Sequence, residues 1–252
     1  MQKLHQRLGI SYGYLIEKIT RMYWEENLSQ LKISKKLNCD ITTVEKFFRC
    51  GDIKSRNLSE AGRINKQRIA KINDYQVEVL NGLMLSDFHI ESGTFQARLS
   101  FGFKHLEFAD LCIKELNCFE WIPPKQDKST GCWHSKTKFY ENLQDYKNIW
   151  YLKRKKIIPS IDISPTTLLF WFLGDGTVAK NGYGAILCTE AFSNSENKNL
   201  SKKILKLGIP NNTTPSNRIR ILGHYGYIKM LEIIGKCPIE CYKYKFKYEY
   251  NT

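Results

Sequence analysis

The spacing of apolar positions changes several times along the chain, and the changes mark out its elements. Residues 12–27 carry Tyr14, Leu15, Ile19, Met22 and Tyr23 near helical spacing and predict a first helix. Ser29 stands where a second helix needs an N-cap, and Leu28, Ile33, Ser34 and Leu37 fall on or near one face of it. Asn38 occupies a turn position that calls for positive φ. Asp40 is placed to cap a third helix, whose buried side would be Val44, Phe47 and Phe48. The following segment, DIKSRNLSEAGRINKQRIAK, is basic and poor in apolar residues, which predicts a linker.

From residue 75 the pattern repeats. VLNGLMLSDFHI closes an apolar run on Asp87, and LLFWFLGDGTV closes another on Asp175, 88 positions later. The same offset maps Gln96–Ser100 onto Gly184–Cys188, which predicts a duplicated unit. Each run is apolar all round, so each helix should be buried. Gly82 and Ser86, four apart, would let the two helices approach closely, as would Gly174. Phe170 takes the place matching Gly82, so the closest approach is expected at the aspartate ends. Alternation then predicts strands at 94–103, 133–139, 184–189 and 218–222. Helical stretches are expected at 105–117, 140–150, 194–207 and 225–235.

Charge narrows the partners. The 252 residues include 39 Lys and Arg against 25 Asp and Glu, a net +14, which points to a polyanion. No run approaches the roughly 20 apolar residues of a spanning helix, and the first residues lack a secretory apolar run. A soluble, intracellular protein with no membrane partner is expected. The eight cysteines form no C-x-x-C pair or zinc spacing and are expected as reduced thiols. In this basic setting, Thr42, Thr43, Lys46 and Arg49 would face a major groove from the third helix. Arg56, Arg63 and Lys66 would lie on phosphates. This front stretch resembles the helix-turn-helix modules found beside mobile-element nucleases and recombinases. Two packed helices would also bring Asp87 and Asp175 together, and paired carboxylates suit a hard divalent cation, most simply Mg²⁺.

LNGLMLSDF and LLFWFLGDG resemble the nonapeptide that names the LAGLIDADG endonucleases, in their single-chain, two-motif branch. The resemblance covers about residues 75 to 250. It implies an α+β fold of two pseudo-symmetric αββαββα halves forming a DNA saddle, here behind a small all-α front domain. The divisions expected are 1–55 for the helix-turn-helix domain, 56–74 for a basic linker, 75–160 for the first half and 161–252 for the second. The resemblance implies metal binding by Asp87 and Asp175. It also implies catalytic lysines at Lys156, in the K-K-x-I-P element, and Lys245, in a Tyr-Lys pair. The family's ninth residue is usually Gly, and Phe88 departs from that.

The expected function is a monomeric homing endonuclease that cuts double-stranded DNA at a long site with Mg²⁺, or Mn²⁺ as a substitute. Gln96, Arg98, Lys136, Lys138, Arg218 and Arg220 are the sheet residues expected on DNA, with strand register left open. A second reading, from another class, is a non-cleaving binder on the same scaffold, either an intron-RNA maturase or a transcription regulator.

Overall fold

The computed structural model describes residues 4–57, 68–93, 95–179 and 184–246. The chain divides into two compact units, 1–67 and 68–252. The first is helical: α1 (Leu4–Arg7), α2 (Tyr12–Trp24), α3 (Gln30–Lys36) and α4 (Ile41–Cys50). Its core is Leu15, Ile19, Met22, Tyr23, Ile33, Leu37, Val44, Phe47 and Phe48. Helix α2 ends three residues short of expectation, and Asn27 just beyond it has φ +55°. Ser29 caps α3 by accepting from the Lys32 N–H, and Asn38 turns the chain at φ +50°. Asp40 precedes α4 without making the expected side-chain cap bond. The Arg7 guanidinium braces the turn by donating to the carbonyls of Leu37, at 3.0 Å, and Asn38, at 2.6 Å.

The second unit is α+β and built twice. Its first half contains α5 (Asp74–Met84), β1 (His89–Ser92), β2 (Ala97–Phe103), α6 (Leu106–Glu115), β3 (Lys125–Gln126), β4 (Trp133–Lys136) and α7 (Asn142–Trp150). A short hairpin, β5 (Tyr151–Leu152) with β6 (Lys155–Lys156), ends that half. The second half contains α8 (Pro165–Asp175), β7 (Gly176–Val178), β8 (Gly184–Leu187), α9 (Asn194–Lys206), β9 (Asn211–Thr213), β10 (Ile219–Leu222) and α10 (Gly223–Ile234). A 3₁₀ helix over Glu240–Lys245 follows. The sheets are antiparallel and share one order, β1-β2-β4-β3 and β7-β8-β10-β9. The edge strands β1 and β3 escape the alternation rule because they are short and polar on one face. Thr94, at the start of the expected first strand, lies outside the described residues, as do Arg63 and Lys66 of the linker. Ala70 belongs with the second unit, since its N–H and carbonyl both bond the Asn142 side chain.

Helices α5 and α8 form the centre. A capping box between Asn73 and Gln76 starts α5, while Ser164 caps α8 ahead of Pro165. Their backbones nearly touch. A Cβ on Gly82 would lie 2.4 Å from the Thr167 carbonyl and 2.9 Å from the Phe170 Cβ. One on Gly174 would lie 2.4 Å from the Ser86 Oγ. Thr167 donates across the interface to the Glu78 carbonyl at 3.1 Å. Close approach thus runs along the helices and is as tight at Gly82 as near the aspartate ends, where the closest approach was expected. Phe170 is accommodated because its neighbour is the glycine Gly82, so one small residue suffices at that crossing.

Gly82→Ala should therefore destabilise the second unit by about 2–4 kcal/mol, because the new methyl meets backbone that cannot yield locally. Gly208→Ala, at φ +80° with open space around it, should cost about 1 kcal/mol. Paired thermal denaturation curves would rank the two. Equal losses would mean that the interhelix contact is not tight.

Candidate active site between the paired helices

The two aspartates reach the site by different local routes. Helix α8 runs through Asp175 into β7 at Gly176, where a Cβ would lie 2.1 Å from the Phe172 ring. Helix α5 stops at Met84, and Leu85–Asp87 form a turn closed by the Phe88 N–H donating to the Leu83 carbonyl at 3.1 Å. That turn swings Phe88 inward. Its ring is fully buried, stacked on Phe101 at 5.2 Å and on Phe103 at 5.9 Å. Such burial is worth about 1.5–3 kcal/mol. The departure from Gly at this place is a core contact, and Asp87 beside it stays at the surface.

Each lysine seats on one helix end. Lys156 donates to the carbonyls of Ser86, at 2.9 Å, and Phe88, at 2.7 Å, which flank Asp87. Lys245 donates to the carbonyls of Phe172, at 3.2 Å, and Leu173, at 2.7 Å, just before Asp175. The Phe172 and Leu173 carbonyls belong to the last turn of α8, where partial negative charge favours an ammonium group, and the Ser86 and Phe88 carbonyls belong to the turn that follows α5. Lys245 is 4% exposed, lies 4.3 Å from the Tyr242 ring, and has its own carbonyl bonded by the Tyr227 hydroxyl. The sequence offset carries this symmetry too: Lys156 maps within one position of Lys245.

The four groups perturb one another. Burial, then the charge of Asp87, pushes the Asp175 carboxyl up to about 7, against the pull of Lys156 and Lys245. Asp87 is also raised: the apolar mass behind it strips hydration although its side chain opens to solvent. Burial brings both lysines down to about 8, with the aspartates opposing. Among the described residues no group of three or more His, Cys, Asp or Glu is placed to hold a metal. All eight cysteines are free thiols, and no described helix is long and apolar enough to cross a membrane.

Register places the sheet residues. Pairing of Glu91 with Arg98, His89 with Ser100, Ser100 with Lys136, and His134 with Lys125 puts these side chains on the face away from the apolar core. Arg98 is bound by Glu91 at 2.7 Å and lies over the Phe139 ring at 4.7 Å. Ser100 bonds both His89, at 2.6 Å, and Glu91, at 2.9 Å. Sequence reasoning missed His89, Glu91 and Lys125, because the edge strands β1 and β3 that carry them were not located, and His134, because the register of the expected strand over 133–139 was left open. Gln96, Lys138 and Arg218 lie one or two residues outside strand bounds. Arg220 is exposed on β10, and Arg218 is paired with Glu190. In the helical unit Thr42, Lys46 and Arg49 are exposed and Thr43 is half-buried. Arg56, expected on phosphates, packs in the structure against the helical unit. Its guanidinium stacks on Tyr23 at 3.9 Å and donates through one nitrogen to the Leu28 carbonyl at 3.3 Å, while its other two nitrogens lie buried without a hydrogen-bond partner among the described residues.

The raised Asp175 has a stability consequence. Its folded pKa lies above its unfolded value, so the native state binds more protons between about pH 4 and 7, and stability falls as pH rises through that window. In metal-free protein at pH 7.5, Asp175→Asn should raise stability by about 2 kcal/mol. It should also flatten the fall in Tm between pH 4 and 7. An unchanged profile would mean that Asp175 is not held up by burial.

The fold agrees with comparisons to known proteins. The family model for LAGLIDADG DNA endonucleases matches residues 77–218. An uncharacterized protein of Methanocaldococcus jannaschii is 26% identical over 203 residues, spanning 72% of this chain and 74% of its own. The solved structure of the homing endonuclease I-WcaI bound to its DNA recognition sequence shares the fold, with TM-score 0.62 at 18% identity. It covers 77% of this chain and 96% of its own. The structure of I-DmoI in complex with DNA and Mn aligns more loosely, with TM-score 0.42 at 12% identity, covering 64% of this chain and 96% of its own. With the duplicated half-domains and their paired aspartates on the same span that the family model matches, the chain belongs to the LAGLIDADG DNA endonuclease family.

Proposed function

We propose that the chain is a site-specific homing endonuclease that cuts both strands of double-stranded DNA at a long recognition site. The observation that carries this reading is the convergence of two carboxylates and two depressed lysines at the ends of two touching helices. The two antiparallel sheets of the same unit supply basic side chains on their outer faces. Asp87 and Asp175 would hold the divalent cation, Mg²⁺ with Mn²⁺ as a substitute. Their chemistry fits: both are oxygen donors held above the usual carboxylate range by burial, and Asp87 itself raises Asp175, a strain that cationic charge relieves. When bound, such an ion supplies water activation and charge neutralisation on the phosphate.

The chain's own residues do the rest. Two of the three N–H donors of each lysine are committed to helix-end carbonyls, which leaves one for a phosphate oxygen or a water. With pKa values near 8, Lys156 and Lys245 also change protonation within reach of neutral pH. Arg98, Lys136, Lys138, Gln96, Arg218 and Arg220 would meet the duplex from the sheets. Thr42, Thr43, Lys46 and Arg49 on α4 would read a second stretch in the manner of a helix-turn-helix. Arg56 would support that helical unit from within. The lodging of Phe88 in the core favours an intact first site over a scaffold kept only for binding. We further propose that the protein acts as a monomer and belongs to a mobile element.

Offered a randomised DNA library with Mg²⁺, the purified chain should make discrete double-strand cuts. Asp87→Asn and Asp175→Asn should each slow cutting by about 100-fold or more while binding persists. Tight binding by the wild type without any cut in Mg²⁺ or Mn²⁺ would sink the nuclease reading and leave the non-cleaving binder. Separately, Lys46→Ala combined with Arg49→Ala should weaken binding and lower its salt slope by about 1 for each phosphate no longer neutralised. An unaltered slope would remove α4 from the interface.

A further inference from the structure

Two glutamates outside the charge cluster bond backbone instead of charge. Glu107, the second residue of α6 in the first half, accepts the Glu240 N–H at 2.7 Å and the Cys241 N–H at 2.9 Å, one on each carboxylate oxygen. These N–H groups open the 3₁₀ helix that ends in Lys245, and groups in a helix's first turn have no partner within it. The residues beside Glu107 seat the same segment, with the His105 and Phe108 rings 5.3 and 5.2 Å from Tyr242. In the second half Glu196, the third residue of α9, accepts the Ile158 N–H at 2.7 Å, two residues beyond Lys156. The offset of 88 carries Glu107 to within one position of Glu196. Each lysine-bearing segment closes its own half and is tied to the equivalent helix of the other.

We propose that Glu107 and Glu196 are reciprocal positioning residues: Glu107 fixes Lys245, and Glu196 fixes Lys156, each from the opposite half. A lysine ammonium sits at the end of a four-carbon stem, so two carbonyl bonds hold its tip only if the backbone at its base is also held. A carboxylate suits that task because its two oxygens take two N–H groups in charge-assisted bonds. The backbone bonds to Glu240 and Cys241 hold the Glu107 carboxyl below its ordinary range, as a working clamp requires. A displacement of about 1 Å at a reacting group can cost on the order of 100-fold in rate. The clamps therefore let each half set the geometry of the other's lysine.

The strand assignment, though not the clamp itself, rests on the nuclease reading. The test is strand-resolved cleavage of a target recovered from the library, with DNA affinity measured beside it. Lys245→Met and Glu107→Ala should slow the same strand by about tenfold or more, with the other strand within about twofold, so that nicked DNA accumulates at near wild-type affinity. Lys156→Met and Glu196→Gln should slow the opposite strand; Gln is used there because Glu196 also closes the capping box with Ser193. Glu107→Gln, keeping one acceptor oxygen, should recover part of the rate. Asp110→Ala, which removes the same charge from an exposed place on α6, should behave as wild type. Equal slowing of both strands, or none beyond Asp110→Ala, overturns the proposal. If the wild type cuts no DNA at all, the nuclease reading fails and amide hydrogen exchange decides the clamp. Protection at Glu240 and Cys241 should then drop about tenfold in Glu107→Ala, and unchanged protection overturns it.

Discussion

Everything at the site depends on how closely α5 and α8 approach. Side chains normally hold packed helices 8–10 Å apart. Here Gly82 lies under the Thr167 carbonyl and Gly174 under Ser86, leaving no room for a Cβ at either place. The approach carries Asp87 close enough to Asp175 for its charge to help raise the Asp175 carboxyl. It also buries the helix ends, and that burial shifts all four ionisable groups. A wider crossing would leave two ordinary carboxylates in water.

The cluster is balanced in sign but not at ease. Two carboxylates and two ammonium groups cancel formally, yet burial moves every one of them toward its neutral form. The lysines are compensated by the aspartate charges and by the backbone carbonyls they bond, two for each lysine. The aspartates accept no comparable bonds in return. The structure thus holds raised carboxylates at the ends of the paired helices, and stability is given up to do so at neutral pH.

Duplication explains why two such places coexist, and its imperfections explain their differences. The sheets repeat in order and the lysines in position. The aspartates do not repeat in backbone: Asp175 ends a helix, whereas Asp87 sits in a turn that turns Phe88 into the core. The halves also exchange support, since a glutamate on the α6 or α9 helix of each bonds backbone of the other. A pair of half-domains held in this way resists drift of one site relative to the other. On the outer face of the first sheet, Glu91 binds Arg98 and Ser100, so part of its positive charge is already paired.

Much of this was legible in the chain before folding. The 88-residue offset, the buried helices leading to an aspartate and the turn at Asn38 are local or periodic properties and survive in the structure, although only α8 ends on its aspartate and Asp87 follows α5 in a turn. Lys156 and Lys245 were legible through family resemblance alone, because nothing in their spacing marks them. Tertiary structure decided what depends on partners distant in sequence. Strand register sorted Arg98 and Lys136 onto one face and placed Glu91 and His134 beside them: the edge strand β1 is too short to leave much alternation, and the face of β4 is fixed only by its pairing with β2 and β3. Aromatic packing withdrew Arg56 into its own unit. The roles of Glu107 and Glu196 arise from bonds to backbone 133 and 38 positions away, and a backbone N–H has no signature in sequence. Periodicity records which side of an element is buried, but only the folded chain records what it is buried against.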